Sequence, residues 1–149
     1  MPMTDPAPID IENAILPGFL RRLGAMFYDS LLLLALIMLS ITLITLPLGM
    51  PEGNALLFFQ LFLWEIIPLL FFTGFWVHGG QTLGMRAWRL RLVRSDGLPP
   101  TWRDALRRHL AALFSLVTFG LGFLWILVDP NKLAWHDHLS ATRLVLSQR

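Results

Sequence analysis

Two long apolar segments dominate the pattern of hydrophobic and polar residues along this chain. The first covers about residues 20–46 and the second about residues 55–77. Each is long enough to cross a bilayer as an α-helix, because about 20 apolar residues span the hydrocarbon core. Pro47, Gly49 and Pro51 interrupt the pattern between them. The pattern therefore predicts a hairpin of two membrane-spanning helices.

A third apolar segment, over about residues 108–128, is only just long enough to span. Its middle, residues 118–122, contains two glycines and is a predicted break. Two arrangements are open: a helix that crosses the membrane, or a re-entrant hairpin that enters and returns on one side. The tail after residue 128 carries more positive charge than the loop between the first two helices, which favours the re-entrant arrangement.

Two short segments alternate between polar and apolar residues as strands do. They are residues 88–93 (WRLRLV) and 141–146 (ATRLVL), and they can pair only if both lie on one side of the membrane. Between them, Thr101 followed by Asp104 predicts a capping box at the start of a helix. The predicted fold class is an all-α membrane protein: a helical hairpin, a third apolar segment that re-enters or spans, and a short cytoplasmic strand pair.

The domain organisation is simple, because a chain of 149 residues is expected to form one domain. Residues 1–17 are polar and rich in proline, and they lack the basic start and apolar core of a signal peptide. We predict that they form a flexible cytoplasmic tail. Residues 18–149 are then a single membrane domain.

Composition and charge agree with a membrane protein. Hydrophobic residues make up 55% of the chain and charged residues 15%, and there is no cysteine. The loop after the first helix has no Lys or Arg, whereas residues 78–109 carry seven arginines. Because positive residues stay inside, both ends of the hairpin and the N-terminus are predicted to be cytoplasmic, in a multi-pass protein of the bacterial cytoplasmic (inner) membrane.

The basic block has a membrane explanation in a chain this apolar. Anionic lipid headgroups account for it better than nucleic acid, which we do not expect as a partner. The candidates for contact with lipid or phosphate are Arg86, Arg89, Arg91, Arg107 and Arg108.

Arg22 and Asp29 are charged residues at the start of the first apolar segment. A charge inside a membrane helix costs several kcal/mol, so such residues usually have a partner and a function. Positions seven apart share a helix face but lie about 10.5 Å apart along the axis, so each residue is expected to find its partner on another segment. For Arg22 the alternative is contact with lipid headgroups. For Asp29 the alternatives are pairing with an arginine to fix helix packing, or direct participation in transport.

Glu65 lies near the middle of the second apolar segment. A carboxyl group there tends to be neutral, which makes Glu65 a candidate for binding a proton or a cation, together with Asp29. The alternative is a neutral Glu65 that hydrogen-bonds to a neighbouring helix.

The segment His136-Asp137-His138 raises the question of a metal site. Two histidines without an evident third ligand are weak support, so no metal is predicted, and Asp137 is expected to pair with an arginine. The sequence contains no Walker loop, dinucleotide fingerprint or nucleophile elbow. We therefore predict no catalytic residues, no cofactor and no enzymatic activity.

Three stretches of sequence carry a family resemblance. They are residues 19–34, 78–110 and 129–146. Together they resemble the RDD family of bacterial membrane proteins, which is named for one arginine and two aspartates. The resemblance assigns the arginine to Arg22 and the aspartates to Asp29 and Asp137. Further matches to the family's typical segments are Gly80-Gln81-Thr82-Leu83-Gly84, Arg86 and the turn Asp96-Gly97.

The resemblance implies a membrane fold and leaves two functions open. One is a cation/proton exchanger of the Na⁺/H⁺ type, to which some family members are linked, with Asp29 and Glu65 as ion sites and Arg22 with Asp137 as a gate or brace. Glu65 is not part of the family signature. The other is a non-transporting scaffold or accessory subunit that binds lipid or a partner protein. The expected partners are the bilayer and its anionic headgroups, a second copy or another membrane protein, and a monovalent cation or proton.

Overall fold

The structure is a computed structural model that describes residues 9–147. Its longest element is α1, Phe19–Leu48, which has 30 residues. Pro47 lies inside the last turn of α1, and the helix ends at Gly49, whose φ of 76° is in the region that favours glycine. The last turn of a helix that ends at such a glycine can hold a proline. Helix α1 therefore ends at Leu48, two residues later than residue 46.

The second apolar segment is a continuous helical span of 26 residues, Asn54–Gly79. It consists of α2 (Asn54–Leu61), a π-helical turn (Phe62–Ile66) and α3 (Ile67–Gly79). The wider π-helical turn lies directly before Pro68, which has no N–H and whose ring crowds the preceding turn. By length and composition, α1 and this span are both able to cross a membrane.

The first two spans pack against each other through a small apolar contact. Ile37 of α1 meets Leu63 and Ile67 of the second span. Almost all other side chains of the two spans point outward, as expected where lipid is the solvent.

The third apolar segment is a bent pair of helices. Helix α5, Trp102–Val117, begins at the predicted capping box of Thr101 and Asp104, which is confirmed. After a break it continues as α6 (Leu121–Leu124) and a 3-10 turn (Trp125–Leu127), at 107° to α5. The predicted break within residues 118–122 is confirmed. A single helix over residues 108–128 is wrong, because the cap starts the helix at Trp102 and the backbone turns left-handed at residues 119 and 120.

A two-stranded antiparallel sheet joins the beginning and the end of this region. Strand β1 is Leu90–Arg94, strand β2 is Thr142–Leu146, and Leu92 lies opposite Leu144. Two short helices precede the strands, α4 (Leu83–Ala87) and α7 (Trp135–Leu139). The predicted pairing of the two segments is confirmed, so the chain between the strands leaves and returns to the same end of the molecule.

The main core lies where this sheet meets the helices. The sheet supplies leucines, and α1, α3, α4 and α5 each supply at least one buried side chain. Its members are Ala25, Trp76, Met85, Leu90, Leu92, Ala105 and Leu144.

Residues 9–17 of the N-terminal segment contact the sheet and the turn after β1. The N–H of Ile9 donates to the carbonyl of Gly97 at 3.0 Å, the N–H of Leu146 donates to the carbonyl of Ile15 at 2.9 Å, and Pro17 is fully buried. These contacts attach residues 9–17 to β2 and to the turn after β1, and the flexibility of the tail stays a prediction. Residues 1–8 of the predicted tail lie outside the described residues.

Candidate functional site

Asp29 sits where α1 meets the start of α4, and it is only 3% exposed. One carboxylate oxygen accepts a hydrogen bond from the hydroxyl of Thr82 at 2.5 Å, and the other accepts from the N–H of Gly84 at 2.8 Å. Thr82 is the N-cap of α4, and its hydroxyl also accepts from the N–H of Met85 at 3.1 Å. Asp29 thus holds the first turn of α4 against α1. Pairing of Asp29 with an arginine is wrong, because its partners are these neutral donors.

The close approach of α4 to α1 depends on Gly84. A Cβ atom at this position would lie 2.8 Å from Cγ of Asp29 and would also overlap the carbonyl of Ala25. Only glycine lets the backbone come near enough for its N–H to reach the carboxylate.

Asp137 is the centre of a second buried cluster, and it is 1% exposed. One of its oxygens accepts from Arg22 at 2.7 Å and the other accepts from Arg108 at 2.6 Å. The N–H of Ala134 also donates to Asp137, at 2.9 Å, so three donors surround one carboxylate. Its position at the start of the short helix α7 brings this N–H within reach.

The two arginines extend this cluster to other elements. Arg22 donates to the carbonyl of Lys132 at 2.9 Å, and Arg108 donates to the hydroxyl of Thr142 at 2.9 Å. The guanidinium of Arg108 also lies over the ring of Trp76, 5.3 Å from its centre. The Arg22–Asp137–Arg108 cluster therefore ties together α1, α3, α5, α7 and β2.

Electrostatics favour a charged Asp137 beside a neutral His136. Burial raises the pKa of the Asp137 carboxyl, but the charges of Arg108 and Arg22 outweigh it and hold the pKa well below its usual range. Burial, with the charge of Arg108 next in size, lowers the pKa of His136 to about 3. The cluster thus carries two positive charges and one negative charge.

These positions correct two expectations for the arginines. Contact with lipid headgroups is wrong for Arg22 and for Arg108, because both are buried and paired with Asp137. Arg86, Arg89 and Arg107 are exposed and Arg91 is half-buried, so these four remain predicted lipid contacts.

Glu65 lies in the π-helical turn, apart from both buried clusters. Its side chain is exposed and makes no hydrogen bond or ion pair within residues 9–147, and the structure does not bring it to Asp29. His109 of α5 is a buried histidine whose Nε2 has no hydrogen-bond partner in the same part of the chain. A hydrogen bond from Glu65 to a neighbouring helix is not formed.

The two histidines beside Asp137 do not form a metal site. These residues lie on helix α7, so His136 is buried and His138 is exposed. His138 contacts Asp129 at 3.2 Å instead. Over the described residues no group of three or more His, Cys, Asp or Glu side chains is placed to hold a metal ion.

Comparison with known proteins identifies the family of this chain. Residues 16–141 match the model of the RDD family, which covers nearly the whole chain. This chain belongs to the RDD family. The three residues that the family resemblance picks out, Arg22, Asp29 and Asp137, are the buried charges of the two clusters.

The similar protein described next gives no information about the activity of this RDD family protein. It is similar to an uncharacterized protein of Rickettsia prowazekii (strain Madrid E), with 32% identity over 78 residues. The matched part is 52% of this chain and 43% of that relative, so it spans less than half of the relative's length. No solved structure matches the chain significantly.

Sequence reasoning gave Thr82 no contact in the clusters and assigned Arg108 to lipid instead of to Asp137. A signal for Thr82 was present, because threonine before a short apolar helix is a typical N-cap. A signal for Arg108 was also present, since it shares a helix face with the small residues Ala105 and Ser115, which marks the packed side of α5. Neither signal identifies the partner, because Asp29 and Asp137 are 53 and 29 residues away.

Proposed function

We propose that this RDD family protein is a membrane scaffold or accessory subunit that does not itself transport ions, and that its buried charges brace its fold. The observation that supports this is that each oxygen of the two buried carboxylates is hydrogen-bonded to the protein. Every oxygen of Asp29 and Asp137 accepts a hydrogen bond from the protein, and both side chains are almost fully buried. A carboxylate in an ion path needs contact with water or with the ion, whereas these two side chains are 3% and 1% exposed and are bonded to donors within residues 9–147.

The brace acts where the membrane helices meet the sheet. Asp29 fixes α4 on α1, and Asp137 fixes α5 and α7 on α1, so two buried carboxylates position all the segments around the sheet. Removing one partner of a buried ion pair costs about 3–5 kcal/mol, whereas the pair itself adds little net stability. Such a cluster therefore serves to specify one arrangement of the segments.

The same proposal includes a topology. The N-terminus, the sheet and both ends of the α5–α6 segment lie on the cytoplasmic side of the bacterial inner membrane, and α5 with α6 re-enters. Two observations support it: the antiparallel pairing of β1 with β2, and the arginines that surround the sheet.

The proposal is tested by cation-driven proton movement in liposomes that contain the purified protein. Wild type and Asp29→Asn are compared with Na⁺, Li⁺ and K⁺ in turn. We expect no flux above that of empty liposomes in either protein, and a lower melting temperature for Asp29→Asn. Flux in the wild type that is lost in a folded Asp29→Asn variant would overturn the brace.

An exchanger is the second candidate, and one observation favours it. Glu65 is exposed in the middle of a membrane-spanning helix and pairs with no group within residues 9–147. On this proposal Glu65→Gln abolishes flux, whereas Asp29→Asn keeps it in the fraction that folds. The same liposomes therefore separate the two candidates.

A further inference from the structure

The end of the second span borders a cavity that neither buried cluster uses. Its volume is about 180 Å³, and it lies between the last residues of α3, strand β1 and the turn that follows β1. Val77, Pro99 and Pro100 form an apolar wall, and His78 and Arg91 supply polar groups. The cavity is smaller than the pockets of about 300–1,000 Å³ that enclose drug-sized ligands, so it suits a headgroup-sized fragment.

Arg91 brings an uncompensated charge to this cavity. Its guanidinium forms no hydrogen bond or ion pair in the part of the chain that the structure describes. Gly80 lets the end of α3 approach β1 here, since a Cβ atom at this position would lie 2.7 Å from the carbonyl oxygen of Leu92. By contrast, the nearby Arg94 is already paired with Asp96 at 3.0 Å.

His78 adds a polar ring at the same wall. Its Nδ1 is 2.9 Å from the carbonyl of Gly74, which is the contact of a protonated Nδ1 with the preceding helical turn. Its ring meets the edge of Trp102, 5.8 Å away, and Trp102 is 55% exposed. An exposed tryptophan at the end of a membrane-spanning helix is typical of the depth of lipid headgroups.

We propose that this cavity binds the phosphate group of an anionic phospholipid, with Arg91 and His78 at the phosphate and Val77, Pro99 and Pro100 against the apolar part below it. The dipole at the C-terminal end of α3 disfavours an anion here, so the site depends on the full charge of Arg91. Arginine suits this role because its planar guanidinium matches a phosphate with two hydrogen bonds. This site does not depend on whether the protein transports ions.

The test uses purified, delipidated full-length protein in a neutral detergent. Phosphatidylglycerol, inorganic phosphate and diacylglycerol are titrated separately, and binding is followed by native mass spectrometry for the lipids and by the melting temperature for all three. We expect phosphatidylglycerol to bind and diacylglycerol, which has no phosphate, to bind at least about tenfold more weakly. Binding of inorganic phosphate without binding of the lipid would overturn the lipid as the ligand.

Matched variants separate the cavity from the general basic surface. Arg91→Gln removes the charge inside the cavity, and Arg107→Gln removes an exposed charge outside it. We expect about tenfold weaker lipid binding for Arg91→Gln and less than a twofold change for Arg107→Gln. Equal losses of lipid affinity in both variants would show that the lipid binds to the general basic surface and not to the cavity.

Because Arg91→Gln also changes β1, His78→Gln provides a second variant, which lies in the helix. We expect it to weaken lipid binding less than Arg91→Gln does.

Discussion

Asp137 is the residue on which the buried charges converge, because Arg22 and Arg108 both end on its carboxylate. We expect Asp137→Asn to lower the free energy of unfolding by about 3–5 kcal/mol, since it leaves two buried guanidinium groups without their counter-charge. Equilibrium unfolding in detergent measures this difference. Asp96→Asn is the control, because it breaks an exposed ion pair with Arg94 and should cost at most about 1 kcal/mol. Equal effects of the two changes would contradict a bracing role.

His136 predicts a pH dependence of stability. Its folded-state pKa of about 3 lies below its unfolded value of about 6.5, so the fold favours the neutral ring. The contribution is therefore complete above pH 6.5 and is lost as the pH falls toward the folded-state value. We expect the free energy of unfolding to drop by about 2 kcal/mol between pH 6.5 and pH 5, as measured by denaturant unfolding at each pH.

The control for this pH dependence is the neighbouring histidine. His136→Gln should flatten the decline because it removes the buried titrating ring, whereas His138→Gln should leave it unchanged because that ring is exposed. A slope that is insensitive to His136→Gln would assign the pH dependence to other groups.

For single residues, the sequence identified the important charged side chains better than it identified the groups that they contact. The seven-residue spacing of Arg22 and Asp29 correctly predicted that the two side chains do not pair with each other and have partners on other segments. The partners of Asp29 remained hidden because a cap hydroxyl and a glycine N–H carry no charge pattern that a sequence displays. The role of Arg108 remained hidden because a buried arginine and a headgroup contact look alike within one basic block.

At the scale of elements, the contact between α1 and α4 depends on a missing side chain. We expect Gly84→Ala to lower the free energy of unfolding by about 1–3 kcal/mol, because the added methyl group overlaps Asp29 and the carbonyl of Ala25. Thermal unfolding of the purified protein measures the loss.

Gly74→Ala is the matched control for this change, since a Cβ atom at Gly74 meets nothing within 4 Å. Alanine is the better helix former, so Gly74→Ala should not destabilise the protein. Equal losses at the two positions would show that the loss at Gly84 does not come from overlap with Asp29 and the carbonyl of Ala25.

The elements themselves were largely predictable from local signals. The capping box of α5, the two strands and the break within residues 118–122 each follow from a short pattern with a known geometry. The structure of residues 9–17 was not predictable in this way. Prolines and acidic residues suggest a flexible tail, and the hydrogen bonds of this segment are formed with Leu146 of β2 and with Gly97 in the turn after β1, which are distant in sequence.

At the scale of the whole molecule, the proposed topology predicts which positions share a side of the membrane. The chain has no cysteine, so single cysteines report cleanly on sidedness. We expect Ser95→Cys and Asn131→Cys to react with a membrane-impermeant reagent from the cytoplasmic side, and Glu52→Cys only from the opposite side. Labelling of Asn131→Cys from the same side as Glu52→Cys would show that the third segment spans. Labelling of intact cells and of inverted vesicles provides the two sides.

The distance along the chain between Arg22 and Asp137 has a consequence for how the protein is made. The two residues are 115 positions apart. At 5–20 residues per second, a ribosome needs about 6–23 s after Arg22 before it adds Asp137. For about the second half of that interval both helices of the hairpin are already synthesised, since the second span ends at Gly79. The arginine at the start of α1 then has to be held by water or by lipid phosphates. Insertion of the hairpin and closure of the fold are therefore separate events in biogenesis, and the second waits for a carboxylate near the end of translation.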